Sequence, residues 1–325
     1  MPPAALTTRC SLLFHLLVPG GRCATVTVRP NRCRRDGAVA AGSTSRLLRV
    51  RVAWDTSPGH PRQPNQDFVG AVPGAVVLLD GAGIPGTEDL CHHGVAWYTR
   101  SLGGALLARL AATSGPDLVS TLADSIEEVT NRHRHTCDVV DPSSPQATVL
   151  LLRRSDEDVD VLMLGDSFLL LDRQGAEPEV ITDGREVAVR AHARRSVDGL
   201  IEGTAEFATA WERAVAVMRS RRNQPGGYWI AKDDPQAAAQ AVTDRHPVSG
   251  LAGAALLTNG ASRLVDPYEV CDWPDVLNLL RMQGPVHVLD LLRATEAQQR
   301  PDGDSRRWPT PDDATAAYWD LVGRT

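Results

Sequence analysis

The chain has 325 residues, 42% hydrophobic and 23% charged, enough to bury a full core as one large domain or two small ones. A formal net charge of -6 argues against a general nucleic-acid or anionic-membrane binder, because such proteins need a basic surface to displace counterions. No apolar run approaches the roughly 20 residues that span a bilayer, and the six cysteines, at 10, 23, 33, 91, 137 and 271, include no C-x-x-C pair, so they read as neither a disulfide scaffold nor a zinc site.

Residues 1 to about 47 are rich in Arg, Pro, Gly and Cys without a sustained period, and read as a disordered tail or an extension upstream of the natural start. The one candidate targeting segment, SLLFHLLV at Ser11 to Val18, is short, carries His15 and lacks a small-x-small cleavage site, so a cytoplasmic location is expected. Residues 48–325 read as one domain. In it, LLRVRVAW alternates like an edge strand, SPGHPRQPNQD is a Pro-rich loop, and AVVLLD is a continuous apolar strand of the buried kind.

Two helices are expected next, His93 to Ala112 and Asp117 to about Cys137, packed as a pair. Strands follow at Ala147 to Leu152, Val159 to Leu164 and Phe168 to Leu171, with the polar turn Gly165 to Ser167 before the last. Ala205 to Arg221 and Pro235 to Thr243 read as helices, and RRNQPGGYW between them as a flap or a plain surface loop. A strand at Ala254 to Thr258, helices at Pro274 to Met282 and Pro285 to Ala297, and a strand at Ala314 to Leu321 complete the series. Strands in runs and helices in pairs fit an α+β layered class, with sheets inside and helices outside.

Five short motifs share one setting, a turn beside a strand: NQD at Asn65 to Asp67, LDGAG at Leu79 to Gly83, LGDS at Leu164 to Ser167, TNG at Thr258 to Gly260 and PDDAT at Pro311 to Thr315. Asp-Gly is a common turn dipeptide, so each alone is weak. Together they could gather carboxylates around a hard divalent cation, which takes oxygen ligands and keeps waters on its remaining positions. A glycine after the aspartate leaves room for the main-chain carbonyl to ligate as well.

Read in order, RQPNQD, LLDGAG, SPQATVLLL, LMLGDS, LLTNGASRLVD and DDATAAYW resemble the bacterial PPM-type, or type-2C, metal-dependent protein serine/threonine phosphatases over roughly residues 48 to 322. The resemblance implies a four-layer αββα sandwich with a metal cleft at one edge. It also implies Mn²⁺ or Mg²⁺, two ions with a third more weakly held, and a phosphoserine or phosphothreonine protein substrate attacked by metal-activated water. Carried over residue by residue, Arg62 would bind phosphate, Asp67 would hold metal-bound water, and Asp80 would bridge two ions with the Gly81 carbonyl on one of them. Asp166 would sit at the third ion, Asp312 would be the last metal aspartate with Asp313 beside it, and Thr148 falls on the threonine motif leading into the central strand.

The pattern is broken in places. Asn259 stands at a metal-aspartate position and brings an amide oxygen without charge. Gln66 replaces a glutamate, Ala82 a histidine that some members use as general acid, Phe168 an arginine, and Gln146-Ala147 a small residue and threonine. The alternative to a working phosphatase is therefore a weak or inactive relative that serves as a regulatory binding module. A two-metal hydrolase of small phosphomonoesters would share the same site.

Other residues read more plainly. His92 and His93, beside Cys91, would form a helix N-terminal turn or act as ligands near the cleft, His133 to His135 an exposed helix end, Trp97 and Tyr98 core, and Ser155 to Asp160 a solvated hairpin turn.

Overall fold

The computed structural model describes residues 51–83, 87, 89–112, 117–201, 203–299 and 310–322. The expectations for residues 1 to 47 lie outside them. Among the described residues ten strands make two antiparallel five-stranded sheets. One sheet runs β2 (Phe68–Val72), β3 (Ala75–Ala82), β4 (Gln146–Arg154), β5 (Asp158–Leu164) and β8 (Val242–Pro247). The other runs β1 (Arg51–Ser57), β10 (Ala314–Asp320), β9 (Leu251–Leu257), β6 (Phe168–Arg173) and β7 (Glu179–Thr182).

Successive side chains of a strand point to opposite faces, so a strand buried on both sides is apolar throughout. Strand β3 shows this directly. Val76 and Leu78 join Leu150, Leu152, Leu256 and Trp319 between the sheets, while Val77 and Leu79 face α1 (Val95–Leu110) and α2 (Leu118–His133). On the far side, Ala255, Leu257, Ala316 and Tyr318 pack against α6 (Trp273–Met282) and α7 (Pro285–Gln299). The result is the αββα layering expected from the sequence.

Helix α2 starts where its acid signals it: Asp117 accepts from the Ser120 N–H at 2.9 Å, a side-chain N-cap. Between β7 and β8 lie α3 (Arg185–Arg194) and α4 (Ala205–Arg221), packed on each other. Helix α3 was not expected, because its only buried residue is Ala193 and it carries no apolar stripe. The helix expected over 235–243 is instead a 3₁₀ turn at Pro235–Gln240 followed by β8. Pro235 and the Asp234 cap imitate a helix start, while β8 is an edge strand with His246 its only buried residue. RRNQPGGYW folds back toward β4, with Tyr228 buried and Ala231 bridged to Ala147. Tyr98 is core as expected, Ser155 closes the β4–β5 hairpin turn, and His133 is buried where an exposed helix end was expected.

Candidate metal centre

The acidic turns meet at one edge of the sandwich. Asp80, near the end of β3, pairs in the ladder with Thr148, whose Oγ1 accepts from the Asp80 N–H at 3.3 Å and lies 2.8 Å from Ser167 Oγ. Gly81 follows in the same strand. A Cβ there would stand 2.3 Å from the Gln66 carbonyl oxygen, so glycine alone lets this strand end run beside the Asp67 loop. At the β5–β6 turn, Gly165 adopts φ +93° with Thr148 against it, which aims Asp166 into the cleft edge with little backbone strain.

Asp67 is buried just before β2. Its Oδ2 accepts from Thr315 Oγ1 at 2.7 Å and Thr258 Oγ1 at 3.2 Å, whereas its Oδ1 is buried with no hydrogen-bond partner. Burial pushes the Asp67 carboxyl up to about 7, with Asp313 and Asp312 adding to the rise and the two threonine hydroxyls opposing it. Burial likewise holds Asp80 well above the usual carboxylate range, reinforced by the charges of Asp67, Asp312 and Asp166. These acids crowd one another without a compensating donor on every oxygen.

Asp166 is satisfied differently. Arg190 of α3 donates to its Oδ2 at 2.7 Å and to Glu186 Oε1 at 2.9 Å. Asn259 opens the single-turn helix α5 (Asn259–Ser262), and its Nδ2 donates to the same Asp166 oxygen at 2.9 Å. Its backbone N–H donates to Asp80 Oδ2 at 3.1 Å. The amide must face Asp166 with its nitrogen, since two oxygens at that distance would repel. Asn259 thus ties two aspartates together as a neutral donor. Glu186 is itself pushed up to about 7 by burial and then by Asp166, against the pull of Arg190.

Asp312 and Asp313 divide their tasks. Asp312 is exposed and accepts from Arg263 at 2.7 Å, while Asp313 accepts from the backbone N–H groups of Gly59 at 2.8 Å and Gln66 at 2.6 Å. Asp313 therefore pins both ends of the loop that carries Arg62. Arg62 is exposed, its backbone N–H meets His60 Nδ1 at 3.2 Å, and its guanidinium has no partner among the described residues.

Asp67, Asp80, Asp166, Asn259 and Asp312 thus come together, with the Gly81 backbone among them; Arg62 and Asp313 sit on and under the neighbouring loop. Among the described residues no three of these carboxylate oxygens lie within 4.8 Å of one another, a spread wider than the inner sphere of a single ion. The orphaned Asp67 Oδ1 and the mutual repulsion at Asp80 are what a divalent cation would relieve, so the donor set fits Mg²⁺ or Mn²⁺ on that side. Sequence reasoning missed Arg190, Glu186 and Arg263, and gave no role to Thr258 and Thr315 although both lie in its motifs. The Glu186–Arg190 spacing of four marks a helical ion pair, but nothing local says that it closes on Asp166.

Comparison with known proteins decides the family. The protein phosphatase 2C family model matches residues 56–217, from β1 into α4. The chain belongs to that family. Solved structures similar to this type-2C chain include the Mycobacterium tuberculosis serine/threonine phosphatase PstP/Ppp, at 17% identity and a TM-score of 0.52, covering 84% of this chain and 98% of that one. Stp1 from Staphylococcus aureus is 14% identical with a TM-score of 0.54, covering 87% and 99%. PppA of Pseudomonas aeruginosa is 18% identical with a TM-score of 0.51, covering 83% and 97%. At these identities the likeness establishes the shared fold. Among curated proteins none matches significantly. No helix among the described residues is long and apolar enough to cross a membrane.

Proposed function

We propose that this chain is a metal-dependent phosphomonoester hydrolase that removes phosphate from phosphoserine and phosphothreonine in proteins. The observation that carries this is the buried Asp67–Asp80 pair at the strand ends, with one Asp67 oxygen left without a partner. Asp67, Asp80, the Gly81 carbonyl and Asp312 would hold two Mn²⁺ or Mg²⁺ ions, with the amide oxygen of Asn259 a further ligand. Bound there, the ions supply an acidic water and neutralise charge on the phosphoryl oxygens. Asp67, held by Thr258 and Thr315, would keep its remaining oxygen for the metal and its bound water. Arg62 receives the phosphoryl oxygens in its planar fork, on a loop that Asp313 keeps in place.

The third ion is replaced by the chain's own donors. Arg190 and Asn259 occupy the Asp166 oxygen that such an ion would need, so we assign two ions and not three. A cytoplasmic setting suits the free thiols of Cys91, Cys137 and Cys271. The same Arg190–Asn259 closure favours the second reading, a binding protein that keeps the fold and Arg62 but turns over little.

Hydrolysis of a phosphothreonine peptide against Mn²⁺ concentration, beside Asp80→Ala and a small phosphomonoester, separates these readings. Turnover that depends on Mn²⁺, vanishes in Asp80→Ala and prefers the peptide supports the protein phosphatase. An inert protein that gains activity on Asn259→Asp supports the binding protein.

A further inference from the structure

At the start of α1, the structure brings together side chains that the cysteine spacing alone reads as unrelated. His93 Nδ1 lies 3.3 Å from Cys137 Sγ and 3.8 Å from Cys91 Sγ, and His92 Nδ1 lies 3.7 Å from Cys137 Sγ. The ligand atoms of Cys91, His93 and Cys137 all lie within 4.8 Å of one another, and no other His, Cys, Asp or Glu group among the described residues does this. Both sulfurs are free thiols. In a tetrahedral zinc site with bonds of about 2.3 Å to sulfur and 2.0–2.1 Å to nitrogen, neighbouring ligand atoms stand about 3.3–3.8 Å apart. Cys91, His93 and Cys137 are already close to those edges, while His92, within reach of Cys137 alone, has to turn inward to complete the set.

We propose that Cys91, His93 and Cys137, with His92 as the fourth ligand, form a second metal site that takes a zinc ion. Two thiolates and two imidazoles would make a neutral, closed, structural centre. Sulfur ligands select zinc over the hard Mn²⁺ or Mg²⁺ that carboxylates prefer, so the two sites would sort their metals by ligand softness.

The placement gives the ion a mechanical role. Cys91, His92 and His93 form the turn that enters α1, and Cys137 lies just past the end of α2. These helices are antiparallel partners joined covalently at their other end, so a zinc here would close the open end of the hairpin. The backbone already holds the segments in register, with the Asp138 N–H donating to the Leu90 carbonyl at 2.8 Å. The His93 ring is fixed by stacking on Trp97 at 4.3 Å and meets the His133 edge at 5.9 Å. An open groove of about 640 Å³, lined in part by His93, Trp97 and Arg100, leaves the site reachable from solvent.

The protonation chemistry is compatible. Burial, His92 and His133 pull His93 below its ordinary range, leaving it neutral as a ligand must be. Burial pushes the Cys91 thiol up, so zinc has to displace that proton, and uptake of the ion will release protons.

The test uses the full chain purified with reductant, its zinc measured after desalting, and Co²⁺ as a spectroscopic probe. The proposal expects about one zinc held per chain in the natural protein and in Asp80→Ala, lost from Cys137→Ser and from His93→Gln. It also expects a thiolate-to-cobalt charge-transfer band and a tetrahedral cobalt spectrum in the natural protein, which needs no variant to fold. Zinc content indifferent to Cys91 and Cys137 would overturn it, as would a cobalt complex with no thiolate band. A Cys91–Cys137 disulfide in the purified protein under reductant, seen by peptide mapping, would overturn it too.

Discussion

Asp67 and Asp166 are both buried at the same edge of the sandwich, yet Asp67 keeps one oxygen with no partner while a single oxygen of Asp166 receives a guanidinium and an amide. The difference lies in what each loop can reach. Thr258 and Thr315 give Asp67 two hydroxyls on one side only, whereas α3 delivers Arg190 across the turn that carries Asp166. One half of the cleft keeps an unpartnered carboxylate oxygen, where the proposed function puts metal, and the other is neutralised by the protein itself. Asn259 joins the halves, donating its backbone N–H to Asp80 and its side-chain amide to Asp166.

Breaking the metal half should have the largest effect. Asp80→Ala should lower Mn²⁺-dependent hydrolysis of a phosphothreonine peptide by more than about 100-fold, since even residues that only support metal ligands cost 10–100-fold. Steady-state rates at saturating Mn²⁺ check this. Breaking the self-neutralised half should show in stability. Arg190→Ala leaves Asp166 with the amide alone and should destabilise the metal-free protein by about 2 kcal/mol, the scale of a lost charged hydrogen bond. Mn²⁺ should recover part of that loss in thermal melts, because Asp166 then becomes available to an ion.

Asn259→Asp sharpens the contrast more gently. It replaces a donor with a third carboxylate between Asp80 and Asp166, so the metal-free protein should lose about 1 kcal/mol while the Mn²⁺ needed for half-maximal activity falls about tenfold. A melt without metal and a Mn²⁺ titration of activity test both halves. A further contrast lies in pH. The Asp67 carboxyl titrates near 7 when folded, above its usual 3.8, so its contribution to stability is present below 3.8 and lost as pH rises through about 7. Melts of the metal-free protein should therefore fall with pH across that window more steeply than those of Asp67→Asn, and saturating Mn²⁺ should flatten the difference.

Much of the scaffold was legible because the central strands carry unbroken apolar runs and their turns carry Asp-Gly or Asn-Gly. AVVLLD and ATVLLL marked β3 and β4, and Asp117 announced α2. The edge strand β1 was legible from its alternation, whereas β8 and α3 were not. In β8 a single inward residue, His246, leaves no alternation to read, and α3 buries only Ala193. The site divided in the same way. Motif order brought Asp67, Asp80, Asp166, Asn259 and Asp312 to one place, but the partners that distinguish them, Arg190 and Arg263, come from elements distant in sequence. Asp313 looked like an additional metal acid and holds two backbone N–H groups of the Arg62 loop. Cys91 and Cys137 looked unrelated because they stand 46 positions apart in the sequence (137 − 91), and only the pairing of α1 with α2 closes that distance.

The most direct test of the divided cleft is the number of Mn²⁺ ions bound per chain, measured by titration calorimetry with paramagnetic resonance of the free ion. The natural protein should bind about two, and the Arg190→Ala, Asn259→Asp double variant about three. Three ions in the natural protein would show that Arg190 yields to metal and that Asp166 is an ordinary ligand, contradicting the division described above.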